Sequence, residues 1–193
     1  MARIILVHGW GGSPHSDWFP WLKKELSKKR HTVLVPEMPD TKNPIMHTWI
    51  AALTKATGMV DGNTFFVGHS IGCQTILRYL AYLPNQGVAG GVLLVAPWTT
   101  LKPESYEKEE DRAIAQPWLE TPIPGELANV HAKKFVCFFS DNDYFVFVKD
   151  SKIFKEKLGA EIIIEQNRGH YTSDDGCESV PSVLEQQEKM MKK

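Results

Sequence analysis

The residues Gly68-His69-Ser70-Ile71-Gly72 form a G-x-S-x-G motif at the end of an apolar run, Thr64-Phe65-Phe66-Val67. A serine hydroxyl at its ordinary pKa is a weak nucleophile. Chemistry at Ser70 therefore needs the oxygen lifted clear of the fold, where a base can take its proton. A sharp strand-to-helix turn does this, and the glycines at 68 and 72 remove side chains that would collide with the neighbouring strand and helix. A plain Gly-Ser turn is the bland alternative. The apolar strand before the motif and the amphipathic stretch 71–83 after it favour the nucleophile.

When a serine is presented this way, the chain order is serine, acid, histidine. Of the seven histidines, His8, His15, His31, His47 and His69 precede or adjoin Ser70, and His131 precedes the best acids. His170 remains, after the apolar run 161–165 and the short loop Gln166-Asn167-Arg168-Gly169. An acid must hydrogen-bond its imidazole, fix the tautomer and stabilise the imidazolium. Asp141 and Asp143 both follow the run 134–140. Asp141 is close enough to the strand end to act as a turn or cap residue. Asp143 reaches further and precedes Tyr144-Phe145-Val146, which could shield it from water, so Asp143 is favoured over Asp141.

An oxyanion needs two backbone N–H donors. Ile71, directly after the nucleophile at a helix start, is one candidate. Trp10, in the loop His8-Gly9-Trp10-Gly11-Gly12 after the first apolar run, is the other. A glycine-rich loop could instead cradle a phosphate or dinucleotide. Here the G-x-G-x-x-G spacing is missing, and neither a Walker lysine nor a ribose-binding acid follows. No cofactor and no metal are expected.

The elements that must position these groups are legible as alternation. Strand candidates at 3–8, 32–36, 63–68, 91–96, 134–140 and 161–165 are nearly all apolar, the pattern of parallel strands covered on both faces. Between them lie helical patterns at 18–29, 44–57, 71–83 and 146–158, with a last one at 178–191. Residues 1–193 thus read as one α/β domain with a six-stranded, mostly parallel sheet and helices on both faces. Ligands bind such sheets where the strand order reverses. That point falls between the Gly9–Gly12 loop and Ser70 if the second and third strands flank the first.

The stretch 98–131 is too long for an ordinary connection and reads as an insertion, either a lid over the site or a solvated addition. Its charged run 104–112 would face water, with Trp98 and Trp118 anchoring it. Trp98, directly after the fourth strand, is also the expected substrate contact.

With 42% apolar and 23% charged residues and a net charge of -1, the chain has a globular composition. No basic cluster recommends nucleic acid or an anionic membrane as a partner. Cys73, Cys137 and Cys177 make neither a disulfide framework nor a zinc spacing. The apolar run near the N-terminus is too short for a signal segment or span. A cytoplasmic location is the expectation.

Together these segments resemble the small serine hydrolases that include retinoblastoma-binding protein 9 and the bacterial YdeN-like proteins, a compact branch of the α/β-hydrolase superfamily. The likeness runs through His8-Gly9-Trp10-Gly11-Gly12-Ser13-Pro14, Trp18-Phe19-Pro20-Trp21-Leu22, Val35-Pro36-Glu37-Met38-Pro39, Gly68–Cys73, Leu94-Val95-Ala96-Pro97, Ser140-Asp141-Asn142-Asp143 and Gly169-His170-Tyr171. It implies a fold lacking the first two strands of larger hydrolases, and a triad of Ser70, Asp143 and His170. Ser140 departs from the glycine that hydrolases often have before the acid loop. No L-x-C-x-E sequence is present to carry a retinoblastoma-protein interaction.

The expectation is a metal-independent hydrolase of small carboxylic esters, with an acyl-enzyme on Ser70 and His170 as base. A thioesterase or amidase would use the same chemistry, and a hydroxynitrile lyase the same scaffold. A catalytically silent binding protein of this fold is the rival from another class.

Overall fold

A strand buried on both faces needs apolar residues at every position, because neither side meets water. The central runs come near that condition and the edge runs less so; together they form β1 (Arg3–Val7), β2 (Thr32–Leu34), β3 (Thr64–His69), β4 (Gly91–Val95), β5 (Phe135–Ser140) and β6 (Glu161–Glu165). The computed structural model describes residues 1–83, 87–106 and 108–192; Glu107, inside the charged run of the insertion, lies outside them. The strand order is β2-β1-β3-β4-β5-β6, and every pairing is parallel. β3, β4 and β5 are buried along their whole length, whereas β6, at the edge, is partly exposed. β2 stops at Leu34, short of the expected 36, where Pro36 has no N–H to offer a ladder.

Helices cover both faces. On one side pack α1 (Phe19–Lys28) and α7 (Pro181–Met191), against Ile4, Leu6 and Val67. The other carries α2 (Met46–Thr57), α3 (Ile71–Ala81) and α6 (Ser151–Leu158), against Ile5, Val7 and Phe66. The spacing of Trp18, Leu22 and Leu26 puts one face of the first helix inward, and all three side chains are fully buried. Each such leucine contributes roughly 1.5–3 kcal/mol. Trp18 itself stands just before α1.

The insertion 98–131 folds into a 3₁₀ turn (Pro103–Tyr106), α4 (Glu109–Glu120) and a short α5 (Gly125–Asn129). Trp118 is its anchor: the ring is buried, and its indole N–H donates to Pro44 O at 2.9 Å. Arg78 of α3, 2% exposed, donates to the carbonyls of Trp118 and Thr121 at the end of α4. The helix expected over 146–158 starts later. Leu101 and Val146 form an antiparallel bridge, and the Val146 N–H donates to Asp143 Oδ1, so the chain stays extended there before a 3₁₀ turn (Val148–Asp150) leads into α6. All three cysteines are free and buried. No helix among the described residues is long and apolar enough to cross a membrane.

Candidate active site

Parallel register brings five strand ends to one edge of the sheet: Val7 pairs with Gly68, His69 with Val95, and Ser140 with Glu165. The loops that leave this edge carry Gly9–Gly12, Ser70, Asp143 and His170. Ser70 sits between β3 and α3 with φ 53° and ψ -122°, a conformation that costs a non-glycine residue about 1–3 kcal/mol and is retained where the surroundings over-determine it. Those surroundings are tight. A Cβ on Gly72 would lie 2.4 Å from Val7 O, and one on Gly68 would lie 2.9 Å from Cys73 N. Strand, turn and helix therefore pack closely enough to fix the serine.

Asp143 and His170 meet below this turn. Asp143 Oδ2 is 2.9 Å from His170 Nδ1, with both side chains buried. Asp143 Oδ1 accepts the N–H groups of Phe145 and Val146, at 2.8 and 2.9 Å. A carboxylate removed from water needs such partners, since an unpaired one is expensive to bury. Because a carboxylate accepts, His170 carries its proton on Nδ1 and turns a basic Nε2 outward. Ser70 Oγ makes no hydrogen bond among the described residues; contacts of this kind often tighten only with substrate bound.

Asp141 is exposed, and its Oδ1 accepts the N–H of Asn167 at 2.8 Å. It belongs to a short zipper. Ser140 Oγ accepts from Arg168 N–H at 3.0 Å, and Asn142 Oδ1 accepts from Gly169 N–H at 2.8 Å. Three successive side chains at the end of β5 thus hold three successive amides before His170. Ser140, the departure from the usual glycine, is one of these ties. Asp175 adds another, its Oδ2 accepting the His170 N–H at 2.8 Å as well as Thr172 N and Oγ1. Of Ser140, Asn142 and Asp175, only Ser140 stands out in the sequence, as a departure from glycine rather than as a tie. The run of three polar residues at 140–142, facing the loop 166–169, is the signal the sequence offers.

The glycine-rich loop is equally well held. Gly11 (φ 69°) donates to Thr41 O, and the Trp10 indole donates to Lys42 O. His8, buried, donates from Nδ1 to Gly9 O and accepts the Met38 N–H at Nε2; burial pushes its pKa down. Among the described residues neither Trp10 N–H nor Ile71 N–H has a hydrogen-bond partner. Ile71 opens α3, where the first amides have no intrahelical acceptor.

Ser70, His170, Gly9 and Trp10 line a cavity of about 270 Å³, closed on other sides by Phe145 and by Leu101, Ser105 and Asp111 of the insertion. The insertion thus supplies part of the wall. Trp98, expected as a substrate contact, is instead 2% exposed in the core, with its carbonyl accepting from Gln74 Nε2, and it does not line the cavity. The reason is register: Trp98 follows β4 closely enough to pack back into the apolar layer, and the chain reaches the site only at Leu101. Among the described residues no group of three or more His, Cys, Asp or Glu side chains is arranged to hold a metal.

Comparison with known proteins agrees with this architecture. The model of the serine hydrolase family matches residues 4–189. The putative hydrolase YdeN of Bacillus subtilis is 27% identical over 183 residues, 95% of this chain and 93% of that protein. The crystal structure of the ydeN gene product superposes with a TM-score of 0.91 at 26% identity, with both chains covered completely. The serine hydrolase RBBP9 of Rattus norvegicus is 23% identical over 185 residues, 94% of each chain.

Proposed function

The chain belongs to the serine hydrolase family, and from that premise we propose that it cleaves small carboxylic esters through an acyl-enzyme on Ser70. The observation that carries this reading is the buried Asp143–His170 pair at 2.9 Å, whose imidazole lines the cavity that Ser70 also lines. His170 Nε2 takes the proton from Ser70 Oγ as the oxygen attacks the substrate carbonyl. Asp143 holds the opposite Nδ1–H and stabilises the imidazolium. The N–H groups of Trp10 and Ile71 receive the developing alkoxide. Collapse expels the alcohol, which takes the proton from His170. A water, deprotonated by His170, then attacks the acyl carbonyl and releases the acid and Ser70.

The acyl group would lie beside Trp10, Leu101 and Phe145 rather than Trp98, and a short chain is the simplest occupant. The reading also places the enzyme in the cytoplasm, as the three free thiols support. The test is Ser70→Ala, assayed with p-nitrophenyl esters of graded chain length and with a fluorophosphonate probe. Wild type should be labelled and should prefer short chains, while Ser70→Ala should lose both labelling and turnover, keeping its melting temperature. Wild-type protein that resists the probe would favour the silent binding protein. Turnover confined to thioesters or amides would correct the substrate and keep the triad.

A further inference from the structure

Resting on that reading of His170 as base, we propose that His69 is a positioning residue that fixes the backbone of His170 relative to the nucleophile. His69 is the last residue of β3 and the covalent neighbour of Ser70. Its Nε2 lies 2.8 Å from His170 O, and the two rings are 5.0 Å apart. A carbonyl can only accept, so Nε2 carries the proton. Nucleophile and base are thereby joined by one short strut: Ser70, the peptide bond, the His69 ring and the His170 carbonyl. Asp175 takes the His170 N–H on the other side, and Asp143 takes the ring. The base is held at three points, and only the bond from His69 refers its position to the serine.

The cost of this arrangement identifies its purpose. His69 is 3% exposed, packed against Trp18 at the edge of the Ser70 cavity, and among the described residues its Nδ1 has no hydrogen-bond partner. An orphaned buried polar atom costs about 1–3 kcal/mol. Phenylalanine would fill the same space beside Trp18 and Phe19 without that cost, so packing alone gives no reason for histidine here. What histidine adds is the N–H aimed at His170 O. Burial, followed by the nearby His170, pushes the His69 pKa down to about 4. The ring therefore stays neutral and places no positive charge beside the base.

The experiment compares wild type, His69→Phe and His69→Gln, whose amide N–H can replace Nε2–H. Each is assayed for kcat and KM on p-nitrophenyl acetate, fluorophosphonate labelling rate and melting temperature. His69→Phe should lose about a hundredfold in kcat, the scale of a group misplaced by an ångström, with KM little changed. Its melting temperature should stay close to wild type, and His69→Gln should recover most of the rate. A folded His69→Phe with wild-type kcat overturns the proposal, as does a His69→Gln variant as slow as His69→Phe. Should His69→Phe not fold, ¹⁵N-histidine NMR of the wild type decides: an Nε2–H tautomer at His69 supports the strut, and an Nδ1–H tautomer overturns it. Ser70→Ala run in parallel separates the two readings, because retained turnover there sinks the serine assignment, whereas a fast His69→Phe beside a dead Ser70→Ala sinks only the strut.

Discussion

Asp141 and Asp143 stand two residues apart after β5, yet they are asked for different work. Asp143 is 2% exposed and bonded to the His170 ring, whereas Asp141 is exposed and ties a backbone amide. On the proposed reading, Asp143→Asn leaves a folded protein whose imidazole has lost its orienting carboxylate, a change that cost on the order of 10⁴ in kcat in a comparable triad. Asp141→Asn keeps an oxygen for Asn167 N–H, so its rate and melting temperature should stay near wild type. Kinetics and thermal melts on the matched pair check this, and the reverse pattern would move the acid to Asp141. Residue types and chain order pointed to Ser70, Asp143 and His170 in the sequence, and the fold brings the Asp143 and His170 side chains within 2.9 Å. The supporting contacts of Ser140 and His69 were not legible, because these side chains meet backbone groups distant in sequence and no local pattern marks them; Asp175 is different, being the local partner of Thr172 in a capping box.

At the scale of elements, the strands and covering helices could be read because each is a run of apolar residues with a definite period. The insertion could be recognised only by its length. Its helices form against α3, and Arg78 shows how: a buried guanidinium with no carboxylate partner among the described residues, two donors spent on the end of α4, and Nε and Nη1 unpartnered. Burial pushes its pKa down to about 10, so it stays charged at neutral pH. Replacing a buried, poorly paired charge by an apolar side chain is often neutral or stabilising. Arg78→Met should therefore leave the melting temperature within a few degrees of wild type. It should also release the carbonyls of Trp118 and Thr121, so that proteinase K cuts near 119–125 about tenfold faster, as expected when a local opening becomes easier. Unchanged cleavage would show that Trp118 packing alone holds the insertion. The misplacement of Trp98 has the same origin, since an aromatic residue after a strand packs inward unless the following turn forbids it.

For the whole molecule, the observed sheet is wholly parallel with β1 between β2 and β3; its six strands and mostly parallel pairing were legible from alternation. The pH dependence of stability was not, because it depends on which histidines the fold buries. Unfolded His69 takes up a proton near the reference value of about 6.5, whereas folded His69 waits until about 4. Asp17 and Asp143 pull that value up, and His170 and burial pull it down, with burial the largest effect. Between those two values the unfolded chain binds more protons, so stability falls as the pH falls. Buried His8 adds to the loss from His69 in the same direction. Denaturant midpoints measured from neutral to about pH 4 should drop, and His69→Gln should flatten the drop. An equally steep fall in that variant would assign the effect to other groups.

The three buried thiols make the molecule its own opening gauge. Cys73 and Cys137 lie in the layer shared with α2, α3 and α6, and Cys177 lies in the layer shared with α1 and α7. Burial raises all three thiol pKa values, so a thiolate-seeking dye has almost no target in the closed protein. Modification must wait for an excursion that lets water in. If the two sides of the sheet separate together, Cys177 reacts in step with the other pair. If the α1–α7 side breathes alone, Cys177 reacts first, and mass spectrometry of partly modified protein records which face yields.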